Sequence, residues 1–503
     1  MRFIFKMENK EHQSSYTHIL KYTGLFGGMQ GLNILIGIVR TKLVALILGP
    51  GGMGLVSLFT STISFISSAT NLGLPTSSVK TLSEVYEGGN REMLRNKVRL
   101  VRTLSLMAAV LGVVVCLLLS SSFDVLTFSW GSHKLHFALL APIVGMMVLI
   151  GTEMAILKSV RQLKQVALIS TLNMVAALII SVPIYYYFGQ RGIIPALTLM
   201  VLVQLLFTLH YSRKVFPLEV SFRNNVFKEG NEMLRLGLAF LASGLFTTGA
   251  DFIIRSYFSK YASLEVLGIF NAGFMLTTTY AGMVFTAMET DYFPRLSGVN
   301  KDVAACNLMI NRQIEVTLLL IAPMLLAFMI FMPLVVPILY TSKFMPCVPM
   351  AQVIVLALYL RAMKLPVAYL TLAKADSKIF LVLEAYSSIL MVAAVILGYH
   401  FWGLEGAGWG LFVTGLVDII VIWVFAHFHY GYEVSPMVLK YAAIQLPLAM
   451  AGFFVTRCLG GVSYWMLGVV LVLVSLAISV EILRRKTLLW KKLKQNLAGR
   501  FKR

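Results

Sequence analysis

The chain has 503 residues, of which 58% are hydrophobic and only 13% are charged. A soluble domain carries about a quarter charged residues, so this composition predicts a protein solvated mainly by lipid. The net charge of +21 does not indicate nucleic-acid binding, because the lysines and arginines lie between apolar stretches and in the C-terminal tail. There they serve as topology signals and contact anionic membrane lipids. The four scattered cysteines lack the spacing of a disulfide framework or a zinc site.

Apolar stretches long enough to cross a membrane recur along the chain, and we predict fourteen spans, from residues 24–47 to residues 462–482. The polar N-terminus is not expected to be a signal peptide. With the N-terminus in the cytoplasm, 33 of the 43 lysines and arginines face the cytoplasm and only five face the opposite side. This asymmetry predicts an even number of spans, with both termini cytoplasmic.

The chain also matches itself at an offset of 214–215 residues. Gly189-x-x-Gly192 falls on Gly403-x-x-Gly406, and each pair ends the turn between the fifth and sixth spans of its half. An even number of spans per repeat gives both halves the same orientation, so the repeat predicts two lobes around a central cavity.

The predicted fold class is therefore all-α integral membrane, with about fourteen transmembrane helices in two pseudo-symmetric six-helix lobes plus two extra C-terminal helices. The predicted divisions are a cytoplasmic N-terminus (1–22), an N-lobe with spans 1–6 (23–214), a C-lobe with spans 7–12 (229–430), spans 13–14 (437–482) and a basic cytoplasmic tail (483–503).

Charged residues inside the spans are the candidate functional residues, because an isolated ion at membrane depth is costly and usually faces a protein interior. The basic ones suit a substrate that carries phosphates, since arginine binds phosphate oxygens bidentately and lysine acts as a point charge. The candidate diphosphate- or cavity-binding residues are Arg40, Lys42, Arg255, Arg361 and Lys364. The candidate coupling or ion-pair acids are Asp251, Asp418 and Glu153.

The repeat places Arg40 and Arg255 at equivalent positions of the two lobes, where they can clamp a diphosphate between them. Other interpretations stay open for these groups. Lys42 is two residues from Arg40, on another helix face, and can instead reach the outer interface. Asp251 and Arg255 are four residues apart, which equally suits a structural ion pair.

Motifs that would indicate an enzyme are missing. The chain has no P-loop, no H-E-x-x-H and no G-x-S-x-G, and its eight histidines are dispersed. The external connections are short, the longest being residues 121–135. We therefore expect no catalysis, no metal and no cofactor, and predict a secondary transporter.

Two stretches near the N-terminus carry a family resemblance. The run from Val39 to Leu55, VRTKLVALILGPGGMGL, and the run from Thr70 to Ser77, TNLGLPTS, resemble bacterial polysaccharide flippases of the O-antigen type. These belong to the multidrug/oligosaccharidyl-lipid/polysaccharide exporter superfamily. The resemblance implies a substrate of undecaprenyl-diphosphate-linked oligosaccharide, moved from the cytoplasmic to the periplasmic leaflet. A polysaccharide polymerase and a chain-length regulator are the protein partners that it implies.

Three alternatives stay open. A lipid II flippase has the same number of spans, and a multidrug/cation antiporter has the same fold. An antiporter for organic cations should concentrate acids in its cavity rather than arginine and lysine. A membrane-embedded glycan polymerase or ligase usually needs a sizeable external loop, which this chain lacks.

Overall fold

The computed structural model of the chain describes the backbone of residues 2–221 and 226–486. Side chains are described from Gly31 to Arg485, except at 222–229, 232, 239 and most positions of 280–291. Every regular element in these ranges is helical. The chain divides into two compact units, Met1–Glu265 and Val266–Arg503. The predicted basic tail lies outside the described residues from 487 on, as do the side chains of the predicted N-terminal segment 1–22.

The first unit is built from eight α-helices. Its interior lies where α3 packs against α5, around buried leucine, valine and isoleucine side chains. Helix α3 begins where the Asn90 side chain accepts a hydrogen bond from the backbone N–H of Met93 at 2.9 Å, which caps the helix. The helices are α1 (Arg2–Thr70), α2 (Leu74–Glu87), α3 (Arg91–Thr127), α4 (Lys134–Ala138), α5 (Ala141–Ser159), α6 (Leu163–Phe188), α7 (Ile193–Arg213) and α8 (Val226–Tyr257).

The second unit is built on the six helices that follow. Asp302 and Ser435 each cap a helix by accepting a hydrogen bond from a backbone N–H three residues on. The helices are α9 (Leu264–Gly298), α10 (Val303–Leu339), α11 (Cys347–Ala373), α12 (Ser377–Tyr430), α13 (Pro436–Cys458) and α14 (Gly461–Lys486). Helix α11 is the most buried of them and packs between α10 and α12.

Helices α1 and α12 are each two helices joined at a sharp bend. In α1 the bend is at Gly49, with φ 62° and ψ −173°, immediately before Pro50. Proline cannot continue the hydrogen-bond ladder of the preceding turn, and only glycine adopts this backbone conformation readily. In α12 the bend is at Trp402 and Gly403. Both bends fall between two predicted spans, so each helix is long enough to supply two.

The repeated glycine motif has matching backbone geometry in the two halves. Gly189 and Gly403 both adopt positive φ, 54° and 60°. A Cβ on Gly192 would lie 2.9 Å from the carbonyl oxygen of Ile184, and one on Gly406 would lie 1.9 Å from that of Gly398. Ile184 and Gly398 are themselves 214 residues apart. In both halves the second glycine is therefore needed for a close approach at the same relative position.

Ten helical segments in the described residues are long and apolar enough to cross a membrane. Three of them exceed 39 residues, namely Gly31–Thr70, Leu163–Arg213 and Ser377–Tyr430. A further apolar helix, Leu264–Thr279, is shorter. The fourteen predicted stretches coincide with helical segments, but the count of fourteen crossings is not confirmed and stays a prediction.

The boundary between the compact units falls after α8, whereas the predicted C-lobe begins at residue 229, within α8. Helix α8 clusters with the first unit because it packs against α1, α2 and α3. The contact is close at Gly73, where a Cβ would lie 1.9 Å from the carbonyl oxygen of Gly237. The predicted lobe boundaries describe repeats in the sequence rather than packing, and they stay predictions.

Helices α13 and α14 are joined by buried hydrogen bonds, and α13 is joined to α12 by a partly exposed ion pair. The Gln445 amide of α13 donates to Ser479 Oγ at 3.0 Å and accepts from Ser475 Oγ at 2.8 Å. Arg457 of α13 forms a 2.8 Å ion pair with Glu405 of α12. Hydrogen bonds of this kind hold helices together where the hydrophobic effect cannot.

Candidate functional site

Arg40 lies on the first half of α1, between α6 and α7. Its Nε donates to Ser181 Oγ at 3.1 Å, and its Nη2 lies 3.6 Å from the sulfur of Met200. No carboxylate among the described residues is within ion-pair distance of its guanidinium. The buried hydroxyl of Tyr185 on α6 also has no hydrogen-bond partner in the described part of the chain. Lys42 is half-buried two residues further along α1.

Arg255 is buried near the end of α8, with 6% of its surface exposed. It forms an ion pair with Asp251 on the preceding turn, and its Nε donates to Ser57 Oγ of α1 at 2.7 Å. This geometry is the one expected if Asp251 and Arg255 form a structural ion pair, which is one of the two interpretations left open by the sequence. The predicted diphosphate clamp between Arg40 and Arg255 stays a prediction.

Glu153 on α5 lies in a buried network that the sequence analysis missed. Its two carboxylate oxygens accept from Nε and Nη2 of Arg102 on α3 at 2.7 and 3.0 Å. Arg102 Nη2 also donates to Ser212 Oγ at 3.0 Å, and Nη1 donates to the carbonyl of Pro217 at 2.5 Å. The side chains of Arg102 and Glu153 are 5% and 7% exposed, so this pair is shielded from water. The hydrogen bonds just described replace those that water would make.

A sequence feature could have revealed this network. Arg102 lies near the start of the apolar stretch that forms most of α3. An arginine within an apolar stretch needs a partner, and Glu153 is an acid at similar depth on a later span. The structure pairs the two.

The second unit contains a cavity of about 450 Å³ that brings three of the predicted residues together. Arg361 and Lys364 line it from α11, and Asp418 lines it from the second half of α12. Most of the remaining wall is apolar, with Phe274 and Met391 among its residues. The first half of α12 adds Ser387 and Glu384 to the lining. The cavity therefore combines a long apolar wall with a small group of charges.

Two of these charges are paired and one basic group is not. Lys364 Nζ lies 2.6 Å from Asp418 Oδ2, and Ser387 Oγ donates to the same oxygen at 2.7 Å. The Asp418 side chain is only 4% exposed. The Arg361 guanidinium lies 5.3 Å from the centre of the Phe285 ring, and no described carboxylate pairs with it. Its hydrogen-bond donors are available to an anion in the cavity.

The cavity is less cationic than the sequence alone predicts. Two acids, Asp418 and Glu384, line it beside the two basic residues. The sequence gives no sign of an acid near Arg361 and Lys364, because α11 contains neither aspartate nor glutamate. Both acids come from α12, and Asp418 is 54 residues away from its lysine partner.

Comparisons with known proteins fit this architecture. The profile of a family described as polysaccharide biosynthesis protein matches residues 43–349, more than half of the chain. A comparison with curated protein sequences gives no match.

Solved structures of similar fold are membrane transporters. An inward-facing multidrug resistance MATE family transporter of the MOP superfamily has a TM-score of 0.68 at 18% identity, over 79% of this chain and 94% of its own. The lipid II flippase MurJ, in an inward closed conformation, has a TM-score of 0.67 at 13% identity, over 92% and 99%. A MOP superfamily transporter from Pyrococcus furiosus, described as having a binding pocket of reverse polarity, has a TM-score of 0.53 at 16% identity, over 81% and 93%. At these identities the likeness shows the fold, and the predicted fold class is confirmed.

Proposed function

The chain belongs to the polysaccharide biosynthesis protein family, and from this premise we propose that it is a multi-pass membrane flippase for a lipid-linked oligosaccharide. The proposed substrate is an undecaprenyl-diphosphate-linked repeat unit, turned from the cytoplasmic to the periplasmic leaflet of a bacterial inner membrane by alternating access. The product would supply a surface polysaccharide, such as O-antigen, capsule or exopolysaccharide. Moving the lipid breaks and forms no covalent bond, so the proposal needs no catalytic group.

The observation that carries the proposal, within this family, is the available guanidinium of Arg361 in an apolar-walled cavity. An undecaprenyl diphosphate has a long hydrocarbon chain and a compact anionic group. Apolar walls suit the chain, and a guanidinium binds phosphate oxygens bidentately. Arg361 is half-buried. An arginine at membrane depth without an acidic partner is costly, which supports a role for it in binding.

Lys364 supplies a second cation one helical turn away on the same face of α11. Its contact with Asp418 is a single ion pair on a flexible side chain that is 21% exposed. An ammonium can turn toward a phosphate without losing hydrogen-bond geometry, because it acts as a point charge. Arg361 and Lys364 together therefore suit the two phosphates of a diphosphate.

The proposal is tested in the bacterium that carries the gene. Deletion should abolish the surface polysaccharide and cause lipid-linked repeat units to accumulate on the cytoplasmic side. The native gene should restore the polymer and an Arg361→Ala variant should not, at equal protein level. The matched control is Arg312→Ala, which removes an exposed arginine of the same unit. Normal polymer in the deletion strain, or full restoration by Arg361→Ala, would contradict the proposal.

A multidrug/cation antiporter is the second candidate, because Asp418 and Glu384 line the same cavity. Such a pump needs an acid that faces its cationic substrate. Asp418 is already held by Lys364, which makes the flippase the better supported of the two. Deletion that raises sensitivity to organic cations such as ethidium, with the polysaccharide intact, would favour the antiporter. A lipid II flippase would also bind a polyprenyl diphosphate. If the chain has that function, deletion of the gene would stop cell-wall synthesis rather than surface polysaccharide.

A further inference from the structure

The two basic residues of the cavity differ in what they already hold. The Arg361 guanidinium lies 5.3 Å from the centre of the Phe285 ring, and no described carboxylate pairs with it. Lys364 is occupied by Asp418 at 2.6 Å. An anion that reaches this cavity therefore meets one available cation and one that it must take from a carboxylate.

Asp418 accepts hydrogen bonds from two side chains, so Lys364 can leave it for an anion without freeing the carboxylate. Its Oδ2 accepts from Lys364 Nζ on α11 and from Ser387 Oγ on the first half of α12. When Lys364 turns away, the serine hydrogen bond remains and keeps the carboxylate in place. Carboxylate and phosphate oxygens are equivalent acceptors for an ammonium, so Lys364 can pass from one to the other.

We propose that Asp418 is an internal competitor of the anionic substrate for Lys364. Binding of the diphosphate transfers Lys364 from Asp418 to a phosphate, and departure of the substrate returns it. This inference rests on the proposed function, because it assigns a release device to the same cavity. Two permanently available cations would hold a diphosphate tightly, whereas a competing carboxylate lowers the affinity and speeds release.

The test uses the purified full-length chain in detergent, with farnesyl diphosphate as the probe. Asp418→Asn keeps the side-chain shape and removes the competing charge. We expect it to bind farnesyl diphosphate about tenfold more tightly than the native chain in isothermal titration calorimetry. In proteoliposomes the same variant should flip a labelled polyprenyl diphosphate more slowly, since release becomes limiting.

Two controls separate competition from a general change of cavity charge. Glu384→Gln removes one negative charge from the same cavity but leaves the Lys364–Asp418 pair intact, so its gain in affinity should be smaller. In a Lys364→Ala background, Asp418→Asn should add no more affinity than Glu384→Gln does, because only the general effect of cavity charge remains once the contested cation is gone. The native pairing also predicts that Arg361→Ala weakens binding more than Lys364→Ala, and this comparison does not depend on the Asp418 variant folding.

The outcomes are distinguishable. Failure of farnesyl diphosphate to bind either the native chain or Asp418→Asn, with farnesol as the uncharged reference, would overturn the proposed diphosphate site and this inference with it. Binding to the native chain with unchanged affinity in Asp418→Asn would overturn the competitor alone. So would a gain no larger than that of Glu384→Gln, or a greater loss in Lys364→Ala than in Arg361→Ala.

Discussion

Two clusters of buried charge, one in each compact unit, are built in opposite ways. In the first, Arg102 holds Glu153 through two hydrogen bonds and also donates to Ser212 and to the backbone of Pro217. In the second, Lys364 holds Asp418 through one contact, beside a cavity and beside an arginine that has no acidic partner in the described chain.

The difference shows how the burial of a charged group, and the number of its hydrogen bonds, distinguish a structural ion pair from a substrate site. A charge pair that is sealed from water, and whose arginine makes four hydrogen bonds within the chain, has little left to offer a ligand, and it holds three segments of the first unit together. A pair at a cavity wall with a spare guanidinium nearby retains hydrogen-bonding capacity. Both clusters place ions in an apolar environment, so charge alone does not identify a substrate site.

This contrast also bears on Glu153, which the sequence presents as a candidate coupling acid. Coupling requires an acid that can exchange its proton or its partner during the transport cycle. Glu153 is bound bidentately by Arg102 and is 7% exposed. Its geometry therefore favours a structural role, whereas that of Asp418 favours exchange.

The largest expected effect on stability is at the Arg102–Glu153 cluster. Glu153→Gln leaves the buried Arg102 guanidinium without its counterion, and we expect a loss of about 3–5 kcal/mol in the free energy of unfolding. The measurement is equilibrium unfolding of the purified chain in detergent. The control is Arg161→Ala, which removes an ion pair with Glu87 whose side chains are 71% and 65% exposed, and should cost less than about 1 kcal/mol. If Glu153→Gln and Arg161→Ala lose equal amounts of unfolding free energy, the Arg102–Glu153 pair is not the structural cluster that this contrast requires.

A smaller loss is expected at the cavity. Lys364→Ala leaves Asp418 without its cation but with its Ser387 hydrogen bond and next to a cavity that can admit water. We expect a cost of about 1–2 kcal/mol, measured in the same unfolding assay. A loss matching that of Glu153→Gln would show that the Lys364–Asp418 pair is as structural as the sealed one.

The smallest effect is expected at the surface segment that follows α7. Glu219 accepts hydrogen bonds from Arg95 and Arg99 of α3, and these lower the pKa of its carboxyl group from 4.5 to about 2. A lowered carboxyl pKa stabilises the folded chain above pH 4.5, and this contribution is lost as the pH falls toward 2. Hydrogen exchange of residues 218–221, corrected for intrinsic rates, should show protection that declines between pH 5 and pH 3.

The Glu219→Gln variant is the control for this segment. Its protection should be weaker at pH 5 and nearly independent of pH. High salt should weaken protection in the native chain but not in the variant, because exposed ion pairs are screened. If the native chain and the variant are equally protected at pH 5, the contact with α3 contributes nothing measurable.

Much of the architecture could be predicted from the sequence. Helical segments follow from the length and spacing of the apolar stretches. The resemblance to a polysaccharide family is confirmed by the matched family profile, and the fold by the solved structures. The bend at Gly403 follows from the repeated glycine motif. The number of crossings is harder to predict, because a bent helix such as α12 continues through the point where two apolar stretches meet.

Pairing within the sites could not be predicted in the same way. Glu153 and its partner are 51 residues apart, and Asp418 and its partner are 54 apart. Which acid meets which base depends on how each helix is rotated about its axis and on which helices pack together. Only the pair Asp251 and Arg255 could be foreseen, because both residues lie on one helix face, four positions apart.

The most direct test of the central claim measures stability and transport on the same preparations. Glu153→Gln and Arg361→Ala are purified, unfolded in detergent and reconstituted into proteoliposomes that contain a labelled polyprenyl diphosphate. We expect Arg361→Ala to unfold within about 1 kcal/mol of the native chain and to flip the lipid at least about tenfold more slowly, while Glu153→Gln loses mainly stability. An Arg361→Ala variant that flips the lipid as fast as Arg312→Ala, or that is as unstable as Glu153→Gln, would contradict the account.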